Sequence, residues 1–119
     1  MTTQQIADRL IELCRMGDFE KAQTELFSED ALSIEPQASP AFEKETKGLD
    51  EIKAKGKKWN SMVEKVNSIT LSDALVGTNS FALTMRMDVI MKERGPMDMK
   101  ELCVYQVKDG KIVTEQFYM

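Results

Sequence analysis

Histidine is absent from this sequence of 119 residues. Its absence excludes histidine-dependent catalytic triads and removes the commonest zinc ligand, so any acid–base chemistry falls to carboxylates, tyrosine, lysine or arginine. The two cysteines, Cys14 and Cys103, have neither CxxC spacing nor the spacing of metal ligands. We therefore expect two reduced, buried thiols and predict no metal site and no cofactor.

Long hydrophobic runs and an excess of basic residues are also missing. No apolar segment approaches the roughly 20 residues that a membrane-spanning helix needs, and the first ten residues, MTTQQIADRL, are too polar for a signal peptide. We therefore expect no membrane contact and a cytoplasmic protein. The net charge of −4 argues against nucleic acid as a partner. The lysines at positions 53, 55, 57 and 58 lie among acidic residues, and we interpret them as a solvated helix face.

The composition is that of one soluble globular domain. Hydrophobic residues make up 42% of the chain and charged residues 30%, a balance typical of folded soluble proteins rather than disordered ones. A chain of this length holds one core of ordinary size and is too short for two. We predict a single domain over residues 1–119.

The first half of the sequence predicts three helices and a short strand. Thr2 and Gln5 have the spacing of a capping box, and Gly17 is placed to end the first helix. Asp18 is placed to cap a second helix, and Gly48 precedes a third. Residues 31–35, ALSIE, alternate in polarity and predict a strand.

The second half changes to the period of strands from about residue 66. Long strands are predicted over residues 81–92 and 97–107, joined by a turn at ERGP. Asp109-Gly110 predicts a two-residue hairpin, because a type I′ turn needs positive φ at both central positions. The order of helices and antiparallel strands predicts an α+β domain with the helices on one face of a curved sheet.

Strand register follows from the predicted turns. The Asp109-Gly110 hairpin pairs Val107 with Ile112, and an even-numbered loop at ERGP places Asp88 opposite Glu101. One face then carries Thr84, Arg86, Asp88, Glu101, Tyr105, Gln116 and Tyr118, and the other carries Phe81, Leu83, Met85, Met87, Val89, Leu102, Val104 and Phe117. Glu115 falls on the apolar face unless a β-bulge intervenes.

Several segments together resemble the SnoaL-like polyketide cyclases of the nuclear-transport-factor-2-like superfamily. They are GDFEKA, LFSEDALSIEP, KGLDEIKAKG and VKDGKIVTEQFYM, and the resemblance covers nearly the whole chain. It implies a cone in which a curved antiparallel sheet wraps three N-terminal helices around a pocket, often with a dimer partner on the outer sheet face. The same fold hosts isomerases, cyclases, hydrolases, dehydratases and non-enzymatic binding domains, so it does not fix an activity.

Because the cone of the family encloses a polar pocket, we assign the polar face to the inside. The apolar face then lies outside and predicts a homodimer that covers it. The reverse stays open: the methionine-rich face packs on the helices, and the stripe of Arg86, Asp88 and Glu101 is the wet side of an antiparallel sheet. In that case the three charges form a structural ion-pair network.

The candidate catalytic residues are Asp88, Glu101 and Arg86, since two close carboxyls in a dry site split into an acid and a base. The triplet Arg86-Met87-Asp88 is similar to the Arg-x-Asp of limonene epoxide hydrolase, but the last strand lacks that enzyme's second aspartate, and the chain lacks the histidine of the cyclases. The candidate ligand-binding residues are Tyr105, Gln116, Tyr118, Thr84, Trp59 and Glu35. We predict binding of a small apolar oxygenated molecule with isomerase, cyclase or hydrolase chemistry; the alternatives are a non-catalytic binding protein and a dimeric interaction module.

Overall fold

A computed structural model describes residues 1–119 as three helices and seven strands. In chain order they are α1 (Thr3–Arg15), α2 (Phe19–Leu26), β1 (Phe27–Ile34), β2 (Glu45–Lys47), α3 (Leu49–Met62), β3 (Val63–Leu71), β4 (Leu75–Val76), β5 (Ser80–Met91), β6 (Gly95–Lys108) and β7 (Lys111–Tyr118). None of the three helices combines the length and hydrophobicity needed to cross a membrane.

The helix boundaries follow the local signals in the sequence. At the start of α1, the Thr2 hydroxyl accepts a hydrogen bond from the Gln5 backbone N–H at 3.1 Å, and the Thr2 N–H donates to the Gln5 side chain at 2.9 Å. This is the predicted capping box. Gly17 follows the helix with φ 77°, a conformation that glycine adopts at little cost. Gly48 directly precedes α3, as predicted.

The seven strands form one unclosed sheet in the order β2-β1-β7-β6-β5-β3, with β4 beside β5. All neighbouring strands are antiparallel except β1 and β7, which run parallel. The predicted α+β fold with three helices on a curved sheet is confirmed, but the sheet is mixed rather than wholly antiparallel. A parallel pair needs a long connection, and residues 35–110 lie between these two strands.

The inner face of the sheet, which the helices cover, is the methionine-rich one. Phe81, Leu83 and Val89 of β5 are at most 3% exposed. The first two belong to the main core with the inward residues of α1, which are Ile6, Ala7, Leu10, Ile11, Leu13 and Cys14. The predicted assignment of the apolar face to the outside is therefore wrong for β5. The alternative, in which this face packs on the helices, describes the strand.

The turn between β5 and β6 explains the error. Residues 92–94 separate the paired residues Met91 and Gly95, so the loop has an odd number of residues, and Gly95 has φ 75°. Compared with an even-numbered loop, an odd-numbered loop moves each β6 side chain to the opposite face relative to β5. Asp88 consequently lies opposite Asp98, and Glu101 lies opposite Met85.

The second hairpin agrees with prediction at its tip and departs from it farther along. Asp109 and Gly110 have φ 52° and 74°, and Val107 pairs with Ile112, as predicted. A bulge then shifts the register, because Gln106 pairs with Thr114 rather than with Val113. The extra residue turns the remainder of β7 over. Glu115 and Phe117 thereby join the inner face, whereas Gln116 and Tyr118 lie outside.

Candidate functional site

The predicted catalytic group does not assemble, because the sheet separates its members. Arg86 lies on the outer face with its side chain 61% exposed, and its Nε donates to Asp98 Oδ1 at 2.9 Å. Asp88, on the same face, accepts from the Asn67 side-chain amide at 3.3 Å. The Arg86 guanidinium lowers the pKa of Asp98, as expected for an exposed ion pair. The prediction that Asp88 lies opposite Glu101, with Arg86 on the same face, is therefore wrong.

Three further candidates from the sequence also lie on the outer face. Thr84 pairs with Leu102, and Gln116 pairs with Val104. Tyr118 is opposite Leu102 and is 45% exposed. These positions keep Thr84, Gln116 and Tyr118 out of any pocket beneath the helices.

The remaining four candidates lie on the inner side. Glu101 and Tyr105 project inward from β6, Glu35 directly follows β1, and Trp59 lies on α3. Tyr105 is only 5% exposed and stacks on Phe81, with 4.8 Å between ring centroids. Burial raises the pKa of its phenol well above the ordinary value. Tyr105 is thus part of the core under the site.

A hydrogen-bonded chain links α3 to β1 and β7 on the inner side. Lys55 Nζ donates to Ser33 Oγ at 2.7 Å and to Glu35 Oε1 at 3.0 Å. The Ser33 hydroxyl in turn donates to Glu115 Oε1 at 2.7 Å. Ser33 and Glu115 are buried, while the Lys55 and Glu35 side chains are 16% and 25% exposed. We call these four residues the lysine network.

Burial and neighbouring charge act together on the inner carboxyls. Loss of hydration raises the pKa of Glu101 to about 7, with the charges of Glu35 and Glu115 adding to the effect and Lys55 opposing it. Burial also raises the pKa of Glu115, although its hydrogen bond from Ser33 and the charge of Lys55 act in the other direction. A carboxyl that titrates near neutral pH can both give and take a proton under physiological conditions.

An apolar wall adjoins Glu101 on the inner face. Met85 lies directly opposite Glu101 across the strand pair, and Met87 lies opposite Met99. We call Met85, Met87, Met91, Met97 and Met99 the methionine wall. Trp59 and Met62 of α3 and Phe19 of α2 pack against it. Methionine side chains adapt to irregular shapes, so this wall suits an apolar ligand without dictating its outline.

Both thiols lie in the core, as expected. Cys14 and Cys103 are free and buried. Burial raises the pKa of Cys14 to about 12 and that of Cys103 further, so both stay protonated and unreactive. No group of three or more cysteine, aspartate and glutamate side chains converges in a way that could hold a metal ion.

Two open depressions lie elsewhere on the surface. One, of about 600 Å³, is lined mainly by α1 residues with Asp73 and Ala74. The other, of about 440 Å³, lies at the β5–β6–β7 end near Asn79 and Lys108. Neither depression is lined by Glu35, Glu101 or Glu115, so both lie away from the inner-face carboxyls.

Sequence reasoning missed Ser33, Lys55 and the inward position of Glu115. Lys55 was grouped with the solvated lysines, although it lies three residues after the fully buried Ile52 and four before Trp59. That helical spacing is the signal that places it on the inward face. Glu115 depended on the bulge in β7, for which the sequence offers no clear marker.

Comparison with known proteins supports the fold. The structure superposes on a protein of Mesorhizobium loti described as a SnoaL-like polyketide cyclase and carbohydrate phosphatase, with 31% identity, 100% coverage of both chains and a TM-score of 0.92. A protein of unknown function with a cystatin-like fold from Xanthomonas campestris matches with 18% identity, coverage of 99% of this chain and 90% of that one, and a TM-score of 0.83.

A third similar structure, from Catenulispora acidiphila, has a ketosteroid-isomerase-like fold and was crystallised with trimethylamine. It shares 18% identity, covers 99% of this chain and 87% of its own, and has a TM-score of 0.70. No curated protein matches the sequence significantly. The SnoaL-like domain family model matches residues 1–119 in full. The chain belongs to the SnoaL-like domain family.

Proposed function

We propose that the inner face binds a small, largely apolar molecule with a carbonyl oxygen, and that Glu101 removes or returns a proton on it. The observation that carries this proposal is the position of Glu101, a partly buried carboxyl with a pKa of about 7, at the end of the methionine wall. The SnoaL-like family, together with the ketosteroid-isomerase-like fold of a structural neighbour, is consistent with an isomerase- or cyclase-type domain.

The size of the apolar wall suits a small ligand. From Met97 to Glu101 the β6 strand advances four residues, or about 13 Å at the usual rise. Met97 and Met99 precede Glu101 on the same face, with Met85 and Met87 on the neighbouring strand. A ligand along this wall would place an apolar body of one or two rings against the sulfurs and its oxygen beside the carboxyl.

Proton transfer at Glu101 would keep the charge of the site constant. The Glu101 carboxylate takes a proton from the carbon next to the carbonyl, the C–H electron pair forms the enolate, and the negative charge passes from Glu101 to the ligand oxygen. Return of the proton to the same or another carbon would complete an isomerisation. The ionised form of Glu101 acts as the base, so the rate is expected to rise as pH increases through about 7.

Lys55 is placed to assist at the oxygen. An ammonium group has three N–H donors, and Ser33 and Glu35 accept from two of them. The third could donate to the ligand oxygen as charge develops there, which is the role that an oxyanion-stabilising donor plays. Tyr105, one of the ligand-binding candidates from the sequence, is too deeply buried for this role.

The alternative is a binding protein without catalysis. The methionine wall and Glu101 would then hold a ligand through apolar contact and one hydrogen bond. The two proposals differ in a single respect, which is whether the ligand exchanges protons at carbon faster in the presence of the protein.

Hydrogen–deuterium exchange tests the catalytic proposal without knowledge of the natural substrate. We would follow the α-hydrogens of 4-phenylbutan-2-one in D2O by proton NMR, with and without protein. The parent protein is expected to accelerate exchange, Glu101→Gln to abolish the acceleration, and Asp88→Asn, which removes an outer-face carboxylate, to keep it. Equal exchange rates in the parent and Glu101→Gln, with the ketone bound to both, would support the non-catalytic alternative.

The homodimer is a further proposal, although fewer apolar residues lie on the outer face than the sequence predicted. Met85, Met87 and Phe117, which were expected to form its interface, lie on the inner face. The outer face still exposes Leu102 and Tyr118, at 42% and 45%. Sedimentation at micromolar concentration would test the dimer, and a charge placed at Leu102 should shift a dimer toward monomer.

A further inference from the structure

We infer that Glu35 is a specificity-determining residue that excludes anionic ligands from the inner face by pairing with the ammonium group of Lys55. The inference rests on the proposed function only in placing a ligand beside the lysine network. It concerns which charge class of ligand the site accepts, whether or not catalysis follows.

The geometry neutralises the charge of Lys55 with Glu35 and leaves one N–H of its ammonium group unengaged. Its Nζ is 3.0 Å from Glu35 Oε1 and 2.7 Å from Ser33 Oγ, and it lies 5.9 Å from the centroid of the Phe117 ring. The Glu35 backbone N–H donates to the Lys44 carbonyl at 2.7 Å, which fixes the start of the Glu35 side chain beside α3. An anionic ligand at the remaining N–H would meet the carboxylate charge of Glu35 beside it, whereas a neutral oxygen would not be repelled.

The charges around Lys55 reinforce this exclusion. The inner face brings the carboxyls of Glu35, Glu101 and Glu115 near one ammonium group, and the charges of Glu35 and Glu115 act on Glu101. A carboxylate or phosphate ligand would face like charge with no unpaired cation to bind it. A neutral oxygen carries no such penalty.

Neutralising Glu35 reverses the balance. In the Glu35→Gln variant the new side chain would have nearly the same shape and could still accept from Lys55 through its amide oxygen, but it would no longer cancel the charge. At pH 6, Glu101, with a pKa of about 7, is mostly protonated, and the pKa of Glu115 is raised as well. The site would then be one charge more positive than in the parent when an anion approaches.

The similar Mesorhizobium loti protein is described both as a polyketide cyclase and as a carbohydrate phosphatase, two activities with substrates of different charge. A phosphate ester is recognised by unpaired arginine or lysine groups. With Lys55 engaged by Glu35, the inner face of this chain suits neutral substrates of the cyclase kind rather than phosphate esters.

A matched pair of probes tests the inference. The fluorescence of Trp59, the single tryptophan of the chain, would report binding of 3-phenylpropanoate and of neutral 4-phenylbutan-2-one at pH 6. We expect Glu35→Gln to bind the carboxylate at least about tenfold more tightly than the parent does, a change equal to one charge-assisted hydrogen bond. The affinity for the ketone should change by less than about threefold.

Two controls identify the cause. Adding Lys55→Met to Glu35→Gln should remove the gain in carboxylate binding, because the cation that Glu35 neutralised is gone. Glu45→Gln removes an exposed carboxylate on β2 and should leave both affinities unchanged. Circular dichroism and thermal midpoints would show that each variant is folded.

The outcomes separate this inference from the proposed function. The inference is overturned if Glu35→Gln binds the carboxylate no more tightly than the parent does. It is also overturned if the gain persists in the double variant. If the ketone binds no variant while the carboxylate gain appears, the role of Glu35 stands and the proposed function fails. If the ketone binds and the carboxylate gain is absent, the proposed function stands and the inference about Glu35 fails. If neither probe binds any variant, both are contradicted.

Discussion

The two faces of the sheet hold similar charged groups in opposite electrostatic conditions. On the outer face, Arg86 and Asp98 form an ion pair with side chains 61% and 49% exposed, and the pKa of Asp98 is lowered. On the inner face, burial outweighs the attraction of Lys55, and the pKa of Glu101 rises to about 7. Loss of hydration therefore moves the pKa of a carboxyl toward neutrality in this protein, whereas pairing with an exposed cation moves it the other way.

The largest expected difference between the faces comes from placing a charge on each. Leu83→Asp puts a carboxyl into the core at a site that is 3% exposed and should cost about 4 kcal/mol or more of unfolding free energy, or prevent folding. Thr84→Asp, one residue along on the outer face, should change stability by about 1 kcal/mol or less. Urea unfolding would compare them. Similar costs for both would mean that the faces are wrongly assigned.

Removing one cation from each face gives the next largest difference. Lys55→Met leaves Glu35 and the Ser33–Glu115 pair without their donor and should lower the unfolding free energy by about 2–3 kcal/mol. Arg86→Met removes an exposed partner and should leave the urea midpoint almost unchanged, because exposed ion pairs contribute little. An equal loss in both variants would show that the lysine network has no special contribution.

The pH dependence of stability should come from the inner face near neutrality. Since the pKa of folded Glu101, about 7, lies above its ordinary 4.5, the folded state holds this proton more tightly than the unfolded state does. Stability is therefore full below about pH 4.5 and falls as pH rises through 7, by about 1–2 kcal/mol after allowance for partial exposure.

Glu101→Gln should remove that component of the decline between pH 4.5 and 7.5. The raised pKa of Glu115 acts in the same direction and should leave a residual slope. Asp98, whose pKa is lowered, acts in the opposite direction and only at acidic pH. Thermal unfolding of the parent and the variant across this range would measure the difference, and identical slopes would refute the role of Glu101.

The smallest effect is expected at Asp88. It lies on the outer face, where its carboxylate accepts a 3.3 Å hydrogen bond from Asn67. Asp88→Asn should leave the thermal midpoint and the affinity for 4-phenylbutan-2-one within experimental error of the parent, because water replaces the lost interaction. A strong loss of affinity would return Asp88 to the site and contradict the observed register.

Local sequence signals predicted the elements well. The capping box at Thr2, the glycines at positions 17 and 48, and the Asp109-Gly110 turn each act within a few residues, and all appear where expected. The family resemblance and the change of period near residue 66 gave the fold class. These features depend on backbone preferences that a single sequence displays.

The site was less predictable because it depends on parity. A loop of three residues at 92–94 and one extra residue in β7 each invert the face of every side chain beyond them. Because of the loop, Met85 and Met87 lie on the same face as Glu101, where Arg86 and Asp88 were predicted. The extra residue in β7 brought Glu115 inward. Neither loop length nor bulge position follows from alternation alone, since β6 and β7 each mix polar and apolar residues on both faces.

The most direct test of the contrast between the faces is a carboxyl titration by carbon-13 NMR from pH 3 to 9, with Glu101→Gln used to assign the key resonance. We predict that Glu101 titrates near pH 7, as part of a coupled system with Glu115, while Asp98 titrates below its ordinary 3.8. A Glu101 resonance that titrates near 4.5, independently of Glu115, would contradict the assignment of this carboxyl to proton transfer.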